Sequence, residues 1–318
     1  MTSSPDAVRH RSWRAATALA LAALFWVPAL TQAEAADETL AERDQRLIAE
    51  TLEAMPPQRP GQPDLYVVGF AGDGTEDVFR NEVLYLEQLV NGRFQAQGRV
   101  ISLVNNPDSL DEASGRPLAT LDNLSLALDG VGRAMDPDED LLMLFITSHG
   151  TEGHELIAEL PPFVDEGIYP DDLAAAIQAS GIRNRVVVVS ACYSGGFLPA
   201  LRSPDALVIT AARKDRTSFG CGAASNVTYF GEAWLVNALN RHDDFIAAFS
   251  DARRQVAARE VEIEFTPSRP QIHVGKGIKP VLEAWRNVLQ PGPAIPYPYD
   301  EDAGPRPHPQ GRVTWQPR

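Results

Sequence analysis

Strands and helices alternate from residue 65 to residue 259, and this predicts an α/β fold, a three-layer α/β/α sandwich around a mostly parallel sheet. Two observations carry the prediction. The apolar runs over residues 141–146 and 186–189, the second made of four valines, lack the alternation of a strand with one wet face, so they read as strands buried on both sides. Between the strands lie segments with apolar residues at helical spacing, most regularly Leu121, Leu124, Leu128, Val131 and Met135 within residues 118–135.

The elements follow in order. Arg9, Arg11 and Arg14 precede an apolar run over residues 15–30, and Ala33-Glu34-Ala35 supplies a small-x-small cleavage site, so residues 1–35 are expected to be a signal peptide. That run is broken by Pro28 and is short for a membrane span of about 20 residues. Export to the periplasm or the cell exterior is expected, with no membrane association after cleavage. Residues 36–63 are expected to form a helix, with Leu40, Leu47, Ile48 and Leu52 on one face, followed by a stiff spacer carrying Pro56, Pro57, Pro60 and Pro63.

The domain proper is expected over residues 64–290. A strand over residues 65–70 opens into Ala71-Gly72-Asp73-Gly74, and Phe79, Val83, Leu86 and Val90 then mark a helix with Arg80 near its start. Strands are expected over 99–104 and 141–146, a hairpin arm over 155–160, and a helix opening at Tyr169-Pro170-Asp171-Asp172 and closing at Gly181. After the valine strand come a short segment over 197–201, a strand over 206–210 and a loop over 213–228. Helices over 231–239 and 242–259, a strand within 263–275 and a helix over 279–289 complete the domain. Residues 291–318 are proline-rich and are expected to be a disordered or extended tail.

The net charge of −15 repels phosphate backbones and anionic lipid, which argues against nucleic-acid and membrane-surface partners. No spacing of ligands supports a metal, and no cofactor is expected. The two cysteines, Cys192 and Cys221, leave two readings open: a disulfide suited to an oxidising compartment, or a reactive Cys192.

Chemistry is expected where open α/β sheets put it, past the carboxyl ends of the strands. His149 follows the third strand in Thr147-Ser148-His149-Gly150, and Cys192 follows the valine strand in Ser190-Ala191-Cys192, before Ser194-Gly195-Gly196. A thiol nucleophile needs a thiolate fraction, a proton donor for the leaving group and hydrogen-bond donors for the oxyanion. His149 can supply the proton, and the small residues around both side chains leave backbone N–H groups accessible.

Ser148-His149-Gly150-x-x-Gly153, then Ala191-Cys192-x-Ser194-Gly195, then Thr210-Ala211-Ala212, Thr217-Ser218-Phe219-x-Cys221 and Thr228-Tyr229-Phe230-Gly231-Glu232 form an ordered set. That set resembles the legumain-type (asparaginyl endopeptidase) cysteine peptidases of the caspase-like clan. Residues 67–80, with Arg80 eight residues after Gly72, are similar to that family's first strand and substrate-pocket arginine. The resemblance implies a caspase-like domain, a peptide or protein substrate and cleavage after asparagine or aspartate through an acyl-enzyme. It implies Cys192 as nucleophile, His149 as general acid, the N–H groups of Gly150 and Cys192 as oxyanion donors, and Arg80, Ser190, Thr217 and Glu232 as the substrate pocket. Four positions depart from the family. Ser190 stands for an acidic pocket residue, Asn81 for a histidine, Val78 for a third catalytic-site asparagine and Ser148 for an aspartate. A different class of reading is a non-catalytic peptide-binding protein of the same fold, with Cys192 tied to Cys221.

Overall fold

A computed structural model describes residues 38–111, 115–222 and 225–299. The expected signal peptide lies outside them. The described elements are α1 (Leu40–Glu53), β1 (Leu65–Ala71), α2 (Asp77–Arg93), β2 (Val100–Val104), α3 (Leu121–Ala134), β3 (Leu141–Thr147), β4 (Leu156–Leu160), β5 (Val164–Ile168), α4 (Pro170–Ala179), β6 (Arg185–Ser190), α5 (Leu198–Leu201), β7 (Ala206–Thr210), α6 (Tyr229–Gly231) with a π-helical continuation over Glu232–Ala238, α7 (Phe245–Glu262), β8 (Gln271–Val274) and α8 (Ile278–Val288).

The main sheet runs β2-β1-β3-β6-β7-β8. Its first five strands are parallel, and β8 closes the edge antiparallel to β7. The expected three-layer sandwich with a mostly parallel sheet is therefore the observed fold.

Two buried clusters explain why the central strands are apolar throughout. Leu65 and Val67 of β1, Met143 and Phe145 of β3, and Val186 and Val188 of β6 point toward α2, α7 and α8. Their neighbours Tyr66, Val68, Leu142, Leu144, Val187 and Val189 point toward α3 and α4. Each strand feeds two cores by simple alternation, so neither face can carry a polar set. The helices start where short side chains satisfy free N–H groups: Thr39 caps α1, Thr120 caps α3 and Asp244 caps α7. The last cap moves the start of that helix to Phe245, three residues after the expected one.

The N-terminal helix with its proline spacer, and the start of the expected tail, both pack against the domain proper. Asp44 of α1 is buried, accepts from Leu118 N and Asn123 Nδ2, and pairs with Arg43, which joins α1 to the start of α3. In the following proline stretch the Pro57 carbonyl accepts from Arg99, and Arg59 pairs with the buried Asp64. At the other end, residues 291–299 are held against α2. Arg93 donates to the Gly292 carbonyl, Tyr85 and Asn240 Nδ2 donate to the Ile295 carbonyl, and Ile295 N donates to Asn240 Oδ1. Extended proline-rich backbone cannot pair with itself, so distant side chains take up its polar groups. Residues 300–318 of the expected tail lie outside the described residues.

Candidate active site

β3 and β6 are adjacent, and their register pairs Thr147 with Ser190. The pairing continues one step further through Ser148 N to the Ser190 carbonyl, 3.2 Å. His149 and Cys192 each lie two residues beyond the paired positions, so the sheet alone brings them to the same edge. Gly150 then packs on the Cys192 backbone. A Cβ at Gly150 would stand 2.2 Å from the Cys192 carbonyl oxygen and 3.3 Å from Ala191 Cβ, so any side chain there would separate the two loops. The N–H groups of Gly150 and Cys192, the expected oxyanion donors, have no hydrogen-bond partner among the described residues.

After Cys192 the chain turns sharply. Tyr193 adopts a left-handed conformation, φ 54°, ψ 13°, which for a side chain with a Cβ costs on the order of 1–3 kcal/mol. Its N–H donates to the Arg216 carbonyl at 2.8 Å and its hydroxyl reaches Glu152 at 3.2 Å. The turn leads Ser194 into the interior, where its hydroxyl accepts from Ala212 N. The thiol end of β6 is thus tied to the loop after β7.

That loop also holds the sulfur. Ser218 N donates to Cys192 Sγ at 3.3 Å, and the thiol faces the Ser218 carbonyl at 3.4 Å. Cys192 and Cys221 are both free thiols. A hydrogen bond from Cys221 draws the Cys192 thiol down to about 6, against its burial, with help from Ser218 N–H and the charge of His149. The Cys221 thiol is pushed up by the same contact and by burial. Of the two sulfurs, Cys192 is the one drawn toward the thiolate, and Ser218 N donates to it.

His149 is half-exposed and edge-on to Phe79, with ring centroids 5.1 Å apart. Its Nε2 lies 3.4 Å from Glu76 Oε2 and 4.0 Å from Asp73 Oδ2. Both acids sit between β1 and α2, a loop propped by the β4–β5 hairpin through Gly74 N to the Glu159 carbonyl and Glu159 N to the Gly72 carbonyl. Neither acid stood out in the sequence, because carboxylates in a glycine-containing loop read as solvated turn residues.

The expected substrate-pocket residues are not gathered into one contact set. Arg80 is largely buried and already doubly paired, with Asp108 at 2.5 Å and Asp77 at 3.3 Å, and its guanidinium also donates to Asn81 and Asn106. Glu232 pairs instead with Arg259, whose guanidinium lies over the Tyr229 ring at 3.7 Å. Ser190 is buried beneath the strand end, its hydroxyl 3.5 Å from that of Thr228. Thr217 is exposed beside Ser218. An Arg80–Glu232 couple is therefore absent, since each charge has a nearer partner.

Sequence reading missed Glu82. It is wholly buried below the site, accepting from Thr147 Oγ1 at 2.6 Å and Thr228 N at 2.8 Å, with room made by Gly231, where a Cβ would stand 2.0 Å from Glu82 Oε1. It joins α2, β3 and the entry to α6 in one polar knot. Burial pushes its carboxyl up, opposed by the hydrogen bonds to Thr147 and Thr228. A raised folded-state value means a stability contribution complete below about 4.5 and lost as pH climbs through the folded value. Glu82→Gln should therefore gain stability relative to wild type as pH rises, in urea unfolding followed between about pH 4 and pH 8. Glu82→Ala should lose roughly 1–3 kcal/mol per orphaned donor, with the deficit largest at low pH. A parallel pH dependence of Glu82→Gln and wild type would show that the carboxyl does not titrate in this way.

A thiol with a lowered proton affinity, a histidine on the neighbouring strand end and backbone donors between them form a candidate site for thiol chemistry. The Peptidase C13 family model matches residues 123–280, a stretch that includes His149, Cys192, Thr217 and Glu232 but not Arg80. That match, about half of the chain, supports a cysteine peptidase of the Peptidase C13 family. A crystal structure of caspase-1 from Spodoptera frugiperda is similar over 69% of this chain and 92% of that chain, at 16% identity and a TM-score of 0.45. No curated protein sequence matches the chain.

Proposed function

We propose that the protein is an exported endopeptidase that cleaves after asparagine through a Cys192/His149 dyad. The observation that carries the reading is the pairing of Thr147 with Ser190, which sets His149 and Cys192 at matching positions past two parallel strands, with Gly150 closed onto the Cys192 backbone. Cys192 Sγ attacks the scissile carbonyl carbon, and the oxyanion accepts from the N–H groups of Gly150 and Cys192. His149 protonates the departing amine as the C–N bond breaks, and water then hydrolyses the thioester, returning the thiol and releasing the acid. The basic, apolar and small-x-small order of residues 1–35 supports export.

Asparagine is preferred over aspartate on charge grounds. Arg80 already faces Asp77 and Asp108, and Asp73 and Glu76 stand beside His149. A substrate carboxylate would add a like charge beside these four acids, whereas a neutral amide would not. Digestion of a diverse peptide pool with sequencing of the product termini tests catalysis and preference together. Cuts after asparagine should exceed those after aspartate by about tenfold or more, a fraction of what one like charge at about 4 Å exerts near a protein surface. Equal cutting after both, or a preference for aspartate, rejects the charge argument. Peptide affinity without turnover rejects the peptidase and favours the non-catalytic reading.

A further inference from the structure

We infer that Glu76 is a positioning residue for His149, holding the imidazole by its Nε2 so that Nδ1 is the nitrogen that meets the reaction. This rests on the peptidase reading of the site. Glu76 occupies the N-cap position of α2, with extended backbone at φ −133° and ψ 140°, yet its side chain makes no capping hydrogen bond. An N-cap side chain ordinarily turns back to a free N–H of its own helix. Glu76 is turned away, toward His149, and its Oε2 lies 3.4 Å from the ring nitrogen.

That oxygen is buried and accepts no hydrogen bond from any described residue. A buried carboxylate oxygen without a donor is costly, and His149 Nε2 is the polar atom at ion-pair distance from it. Asp73 does not compete for the same role. Its Oδ2 is farther, 4.0 Å, and its Oδ1 is held by the N–H and hydroxyl of Thr75, at 2.8 and 2.5 Å. Phe79 meets the imidazole ring at 79° from one side, so the ring has a wall as well as an anchor.

The chemistry follows from the contact. A carboxylate at Nε2 stabilises the tautomer with its proton there and, after proton uptake, the imidazolium. The second proton then sits on Nδ1, ready for the amine that leaves when the Cys192 thioester forms. Glu76 makes no hydrogen bond to the Cys192 sulfur; its charge also bears on the Cys221 thiol, and the positioning role inferred for it runs through His149.

The test uses the full chain with Glu76→Gln and Glu76→Ala, read by steady-state peptide cleavage and by nitrogen NMR of the His149 ring in its neutral form. Expected is a fall in kcat of about 10- to 100-fold in both variants, part of the range that acid–base catalysis supplies, with KM changed by less than about twofold. In Glu76→Ala the ring signals should move from the Nε2–H tautomer toward a mixture. Unchanged kcat with unchanged ring signals overturns the inference, and so does a loss that lies in KM alone. Should Glu76→Ala fail to fold, the near-isosteric Glu76→Gln decides by its kcat. A wild-type chain that cleaves no peptide overturns the peptidase reading, while the ring signals judge the Glu76 contact independently.

Discussion

Cys192→Ala should abolish peptide cleavage, and His149→Ala should lower kcat by about 10²–10⁴, the span that a positioned acid–base group contributes. The first substitution removes the sulfur that is to form the thioester and leaves Cys221, whose thiol is pushed up, as the remaining sulfur. The second leaves the thiol in place but withdraws both the proton donor and a charge that favours the thiolate. Alkylation by an electrophilic peptide separates the two effects. Wild type should label faster as pH rises through about 6, the value to which Cys221, Ser218 and His149 bring the Cys192 thiol. His149→Ala should label more slowly at that pH, since its thiol ionises only at higher pH, and Cys192→Ala should not label there at all. Full turnover by either alanine variant would remove that residue from the mechanism.

Gly150→Ala should be nearly as damaging without touching a reactive atom. The added methyl would sit 2.2 Å from the Cys192 carbonyl oxygen, a backbone atom that cannot rotate aside. Overpacking of this kind costs typically 1–3 kcal/mol, and the relief is for the two strand-end loops to part. Parting them moves the Gly150 N–H away from the Cys192 N–H, and loss of one oxyanion donor is worth about 10²–10³ in kcat. Melting curves and kcat measured on the same sample check both parts. An alanine variant with wild-type kcat would mean that the oxyanion is held elsewhere.

The sheet was legible because burial on both faces leaves no choice of residue: the valines of β6 and the apolar run of β3 could be little else. His149 and Cys192 were legible because strand order and register do the placing, and small residues flank both. Glu76 and Glu82 were not. An acidic residue reads as solvated until something distant claims it, and the claimants are His149, Thr147 and Thr228, 65 to 146 residues away for Glu82. Arg80 and Glu232 show the reverse. Each was assigned to a shared pocket by resemblance, but Asp108 and Arg259 hold them in separate pairs. The proline-rich segments escaped for a further reason: they carry no periodicity, and their order is imposed by Arg93, Tyr85, Asn240 and Arg99 from outside.

The first turns of α2 carry four consecutive residues with four separate duties. Phe79 meets His149, Arg80 meets Asp108, Asn81 donates to the Asn226 carbonyl and Glu82 reaches Thr147 and Thr228. Successive side chains leave a helix about 100° apart, so these four point around the full circumference of the rod. The helix consequently has one workable rotational phase. A roll of a few tens of degrees would unseat all four partners together, and the grip of residues 292 and 295 on Arg93 and Tyr85 acts as a key against that roll.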